Sequence, residues 1–297
     1  MVVTNAQGAA TLAEKLGYPK DAKLLIIHAD DAGLSHSANL ATMTAIKKKG
    51  ITSASIMVPC PWFYEFAEYA KNNPELDIGV HLTFSGEWKY YKWNGVLPSN
   101  IIPGFIDTNG YFFSRSIDAA QLATVDEIKQ EARAQVERAL AFGVNVTHID
   151  THVGTMFKSP ELVKAYLELG KEYGVPVFMY PELYNKMPEE TRAAADENLI
   201  LVEHKCAVNL KSGLPWNKCY KKAIEETKPG LNLLIVHLAY DNAEMQAICI
   251  DHPDYGSAWR QKDFEYVTSA EFKSVLKKNN IYPVTWKMIG EVMERAW

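Results

Sequence analysis

The residues best suited to chemistry follow a short apolar run. Leu24, Leu25, Ile26 and Ile27 lead straight into His28, Asp30, Asp31, Gly33, Ser35 and His36. The run suits a fully buried strand. Adjacent carboxylates just after such a strand are costly unless they are paired or bind a metal. Gly33 permits a tight turn, and Ser35 or Ser37 can cap a following helix. The plain alternative is a capped strand-to-helix turn with two solvated acids. Three more apolar stretches end the same way. LDIGVHL carries His81, THIDTH carries His148, Asp150 and His152, and LNLLIVH closes on His237. Taken alone, His81 reads better as a hydrogen-bonded core histidine. Together, carboxylates and imidazoles suit Zn²⁺ or another divalent ion. Three ligands leave a position for water, whose pKa falls to about 7 on such a metal. A straight strand through Asp30 and Asp31 points them to opposite faces. One then binds the metal and the other stays free as a base. The spacing of His148 and His152 suits one helix face, but at a strand end only one of the two is expected to bind.

Strands and helices must place these groups. A helix is expected over 36–49, stopped by Gly50, then a strand over 51–58, a helix over 62–72 and a strand over 76–82. Thr124 and Glu127 form a capping box for a helix over 124–142, which Gly143 stops. A strand over 144–149 follows. Ser159 caps and Pro160 opens a helix that ends at Gly174. Strands are expected over 175–179, 199–202, 231–237 and 281–285. Thr268 and Glu271 cap a further helix, and another closes the chain over 286–296. Alternating strands and helices mean a parallel sheet. In a (β/α) barrel all the polar strand ends share one face. The expectation is an α/β protein: a single-domain, distorted (β/α) barrel over 23–297 of mostly parallel strands, after an N-terminal extension over 1–22.

Residues 84–116 break the rhythm as a long insertion after the third strand. It is rich in aromatics, including Phe84, Trp88, Trp93, Phe105 and Phe112, and too long for an ordinary connection. Two readings stand: a wall on which sugar rings stack, or a self-packed subdomain.

Bulk properties narrow the function. The chain has 297 residues, 47% hydrophobic and 23% charged, ordinary for a protein with a sizeable core. A net charge of −5 without basic clusters argues against nucleic acid as a partner. No stretch approaches the roughly 20 apolar residues of a membrane span. Cys60, Cys206, Cys219 and Cys249 form no CxxC pair, which argues against a cysteine zinc site. The N-terminus lacks a signal peptide's basic and apolar regions. It reads as a mature or engineered start, leaving localisation open and an exported parent protein compatible. A homodimer is allowed for.

At this point the motifs resemble a family. HADDAGLS, GVHLTF and THIDTH are similar to the NADDFG, G-[LM]-H and HxDSH motifs of the YdjC/ChbG carbohydrate deacetylases, in order and across nearly the whole chain. VHLAYD and WRQKDFEYVTS resemble that family's C-terminal motifs. His28 stands where the family usually has Asn, and Ala32 where it has Phe. Val153-Gly154 and Leu238-Ala239 also depart from the pattern. The resemblance implies a distorted barrel that removes N-acetyl groups from amino sugars or small oligosaccharides with one divalent metal, zinc or magnesium. It implies Asp31, His81 and His152 as ligands, Asp30 as base, His237 as acid, and Arg260 orienting a carboxylate or the substrate. Candidate substrate contacts are Trp88, Trp93, His148, Asp150 and Trp259. The alternatives are an ester or other amide hydrolase on the same site, or a carbohydrate-binding protein with a residual metal site.

Overall fold

The computed structural model describes residues 10–293. Residues 1–9 of the expected N-terminal extension and 294–296 of the expected last helix lie outside that range. Among the described residues there are nine strands: β1 (Lys23–Ala32), β2 (Ser53–Ile56), β3 (Ile78–Leu82), β4 (Val146–Thr151), β5 (Val177–Met179), β6 (Leu199–Leu201), β7 (His204–Lys205), β8 (Gly230–His237) and β9 (Ile281–Pro283). Their order is β6-β5-β4-β3-β2-β1-β8-β7, with β9 against β1, and every pairing is parallel. The order ends at β6 and β7, so this is a barrel left open on one side. The fold is the distorted (β/α) barrel that the alternation implies. β7 was not anticipated; two residues carry no periodic signal.

β1 is the axis of the sheet. Its run is almost wholly inaccessible because helices cover one side and the barrel interior the other. Leu25 and Ile27 face the helix-side core. Leu24 and Ile26 face the interior, with Phe178 and Trp286. Those two rings stack at 5.0 Å. The inward face of β1 therefore reads Leu24, Ile26, His28, Asp30, apolar below and polar above.

The strand does not run straight through its two acids. Ala29 pairs with Ala54 and Ala32 with Ile56, so three steps on β1 meet two on β2. This is a β-bulge. Asp31 takes a φ of 67°, left-handed backbone that Asp tolerates better than most residues. The alternation argument fails here: both carboxylates turn into one mouth.

Helix boundaries follow local chemistry. Ser35 caps His36–Lys47 by accepting from the Ala38 N–H. The left-handed residue after this helix is Lys49, φ 54°, not Gly50. Gly50 is needed for a different reason: a Cβ there would lie 2.7 Å from the Val267 carbonyl oxygen. The capping box of Thr124 and Glu127 is formed, as are the Ser159 cap and the Pro160 start. The late helix Ala270–Lys278 is capped by Ser269 rather than Thr268, which instead ends the preceding helix.

The insertion packs mainly on itself and on the helix Val125–Ala141. Phe84 stacks on Phe105 at 5.5 Å, and Phe105 meets Phe112 at 5.7 Å. Buried Glu131 of that helix accepts the N–H groups of Val96 and Leu97. Among the described residues, no helix is long and apolar enough to cross a membrane, and the four cysteines are free and buried.

Candidate metal centre and active site

The C-terminal ends of β1, β3, β4 and β8 open into one cavity of about 690 Å³. Asp30 and Asp31 reach it from β1, His81 from β3, Asp150 from β4, His152 from just beyond β4, and His237 from the end of β8. Arg260, from the helix Ser257–Val267, closes the side near Asp31.

Three donors converge. His152 Nδ1 lies 3.3 Å from Asp31 Oδ1 and 3.3 Å from His81 Nε2, and His81 Nε2 lies 3.5 Å from Asp31 Oδ1. Donors about 2.1 Å from one tetrahedral ion sit roughly 3.4 Å apart. Asp31 Oδ1 is buried and has no hydrogen-bond partner. An orphaned carboxylate oxygen facing two imidazole nitrogens fits a cation. The other atoms of these side chains are engaged. Asp31 Oδ2 accepts from Arg260 Nη2 at 2.7 Å. His81 Nδ1 pairs with Asp150 Oδ1 at 2.7 Å, which turns Nε2 toward the trio. His152 Nε2 contacts the Glu87 carboxylate. Burial alone would raise the Asp31 carboxyl, but the Arg260 guanidinium and His152 hold it well below the usual range.

Asp30 stands outside the trio. Its Oδ1 lies 3.3 Å from His28 Nε2, and its Oδ2 lies 3.7 Å from His237 Nε2. Burial pushes this carboxyl up to about 6 against the pull of His81 and His28. Burial pushes the His237 imidazole down to about 3; Asp31 favours its charge while Arg260, His81 and His152 oppose it. Resting His237 is therefore neutral. Its ring meets the exposed Tyr255 ring edge-on at 4.8 Å.

The remaining candidates divide. Trp88 and Trp259 line the cavity, and Trp88 lies on the Arg260 guanidinium at 5.5 Å. Asp150 sits on the cavity floor, but its oxygens are taken by His81, His28 and Ser55. It orients rather than receives. Trp93 is buried inside the insertion beneath Gly86 and does not line the cavity. Nor does His148, which packs against Trp286 at 5.7 Å, below the site. A Cβ on Gly79 would lie 2.4 Å from the His148 ring, so only glycine fits beside it. His28, His148 and Asp150 form a second close group, but the Asp150 oxygens there already have partners. His28 itself bonds Ser53, Ser55 and Asp150, which explains how this chain uses a histidine there. Sequence reasoning missed Glu87. Its only signal was its place, six residues after His81 in an aromatic stretch.

A model for YdjC-like proteins matches residues 24–278, which include every one of these groups. The chain belongs to the YdjC-like family. Two relatives span nearly all of it. A carbohydrate deacetylase of Brevibacillus brevis is 28% identical, covering 90% of this chain and 99% of its own length. A carbohydrate deacetylase of Thermus thermophilus is 27% identical, covering 95% and 99%. An Enterococcus faecalis crystal structure, described as a candidate cellobiose-phosphate cleavage protein, superposes with a TM-score of 0.73. It is 23% identical and covers 90% of this chain and 98% of its own, which shows that this YdjC-like barrel shares that fold.

Proposed function

We propose that the protein is a metal-dependent carbohydrate deacetylase that removes N-acetyl groups from amino sugars or small oligosaccharides. The observation that carries this reading is the trio Asp31, His81 and His152, flanked in one cavity by a free carboxylate and a free imidazole. The naming of its full-length relatives supports the substrate class.

A divalent ion held by the trio would supply Lewis acidity, acidifying a water and polarising the acyl oxygen. The chain's own groups then manage protons. Asp30, with a carboxyl near 6, is ionised at neutral pH and takes the water's proton at Oδ2. His237 Nε2 lies 3.7 Å from that oxygen and, at about 3 against about 6, is the weaker base, so Asp30 keeps the proton and His237 relays it only as the amine draws it away. It delivers the proton to the departing amine, which leaves poorly unless protonated. Arg260 keeps Asp31 ionised and in place. Tyr180 and Trp88 contribute to the cavity wall, with the Tyr180 hydroxyl and Trp88 Nε1 buried and unpartnered behind it.

The test is elemental analysis followed by acetate release from matched N-acetylated and O-acetylated sugars. About one divalent ion per chain and faster release from the N-acetyl series are expected. Release only from O-acetyl sugars makes it an esterase. Sugar binding without acetate release makes it a binding protein.

A further inference from the structure

Glu87 comes from the insertion, not from a barrel strand. Its carboxylate nonetheless reaches the mouth, with Oε1 and Oε2 at 3.2 and 3.1 Å from His152 Nε2. The other ring nitrogen, Nδ1, is the one that faces Asp31 and His81. A neutral imidazole has one N–H and one lone pair. A carboxylate faces each nitrogen, but Asp31 Oδ1 is the oxygen an ion would take, so Glu87 would then hold the N–H on Nε2 and leave the lone pair on Nδ1. Only that tautomer can donate to an ion between the three residues.

The surroundings reinforce the geometry. His152 is nearly inaccessible, so its ring does not exchange partners with bulk solvent. The ring behaves as His81 does, whose Nδ1 pairs with Asp150 while Nε2 faces the trio. His81 takes the partner of its outer nitrogen from β4, whereas the outer nitrogen of His152 takes its partner from the insertion. Trp88, next in sequence, lies on the guanidinium that holds Asp31. Two consecutive insertion residues thus stand behind two of the three ligands.

We propose that Glu87 is a positioning residue of the metal centre: it fixes the tautomer and direction of His152, so the insertion completes a site whose ligands come from the barrel. This rests on the metal reading of the trio. It also gives the insertion a task besides packing. Glu87 is not itself a ligand, because it lies on the far nitrogen of the ring.

The experiment titrates chelator-stripped protein with Zn²⁺ by calorimetry, using the wild type, Glu87→Ala, Glu87→Gln and His152→Ala. Nitrogen-resolved NMR of the histidine rings, at a pH alkaline enough to leave His152 neutral between the Asp31 and Glu87 carboxylates, reads the tautomer in the metal-free protein, and melting curves read the fold. Glu87→Ala is expected to weaken zinc binding about 10–100-fold, the usual cost of losing such a partner. Glu87→Gln keeps an acceptor oxygen and should lose less. The wild type and Glu87→Gln should show hydrogen on His152 Nε2, and Glu87→Ala a mixture, at similar melting temperatures. Unchanged zinc affinity in Glu87→Ala overturns the proposal. So does a wild-type His152 that carries its hydrogen on Nδ1, a result that stands even if Glu87→Ala does not fold. Failure of the metal reading looks different: the wild type would then bind zinc no better than His152→Ala.

Discussion

Asp30 and Asp31 are chemically identical neighbours with opposite surroundings. Asp31 has an arginine on one oxygen and two imidazoles on the other. Asp30 has burial, one histidine below and one beside it. Environment alone therefore drives their carboxyls apart, one down and one up. Asp30→Asn should keep the metal and lose at least ~100-fold in turnover, as removal of a positioned base does. Asp31→Asn should lose metal affinity, and also stability, because it leaves the buried Arg260 guanidinium without its counter-charge. Metal content, acetate release and melting of the two variants decide this; the reverse pattern would exchange the two roles. The same environments set a pH limb. A base must be unprotonated to act, so activity should fall as pH drops through about 6. A profile flat down to pH 4 would remove Asp30 from the proton path.

At the scale of elements, what was legible was local. The capping box at Thr124, the Ser159–Pro160 start and the buried run of β1 each depend on residues a few positions apart. What was not legible depends on partners far along the chain. The bulge at Asp31 exists only in register with β2, and Glu87 meets His152 across 65 residues. The insertion illustrates both sides. Its aromatics announced a packed or binding element but not which residue did which. Trp93 is in its core and Trp88 is on the cavity. Trp93→Ala should therefore cost about 3 kcal/mol or more, as buried aromatic truncations do, with KM little changed. Trp88→Ala should raise KM as well, since it removes cavity wall and uncovers Arg260. Melting curves and saturation kinetics separate them; a Trp93→Ala variant with unchanged melting temperature and raised KM would make Trp93 part of the sugar wall.

At the scale of the whole molecule, the fold and the site are the same problem. The three motif clusters could be recognised singly, but their convergence depends on strand order, which brings β4, β3, β2, β1 and β8 side by side with β1 and β3 only one strand apart. That order concentrates Asp30, Asp31, Glu87 and Asp150 around one cavity, with Arg260 as the buried cation among them. With buried Asp263 also on the wall, five acids gathered in low dielectric favour a cation among them and resist its removal. An ion bound there ties β1 to β3 and β4, and it binds the folded chain alone, since Asp31, His81 and His152 meet only when the strands pair. Ion binding is then folding free energy: about 2.7 kcal/mol at a free ion concentration of 100 times Kd. For a chain of 297 residues that is roughly 4 °C in melting temperature. Melting should therefore rise by this amount on adding the ion and fall back with chelator. Asp31→Asn should remove most of the shift, while Asp30→Asn should keep it, because Asp31 groups with both His81 and His152 whereas the unpartnered Asp30 Oδ1 lies toward His28. Equal melting with ion and with chelator would mean that these three side chains do not share a cation.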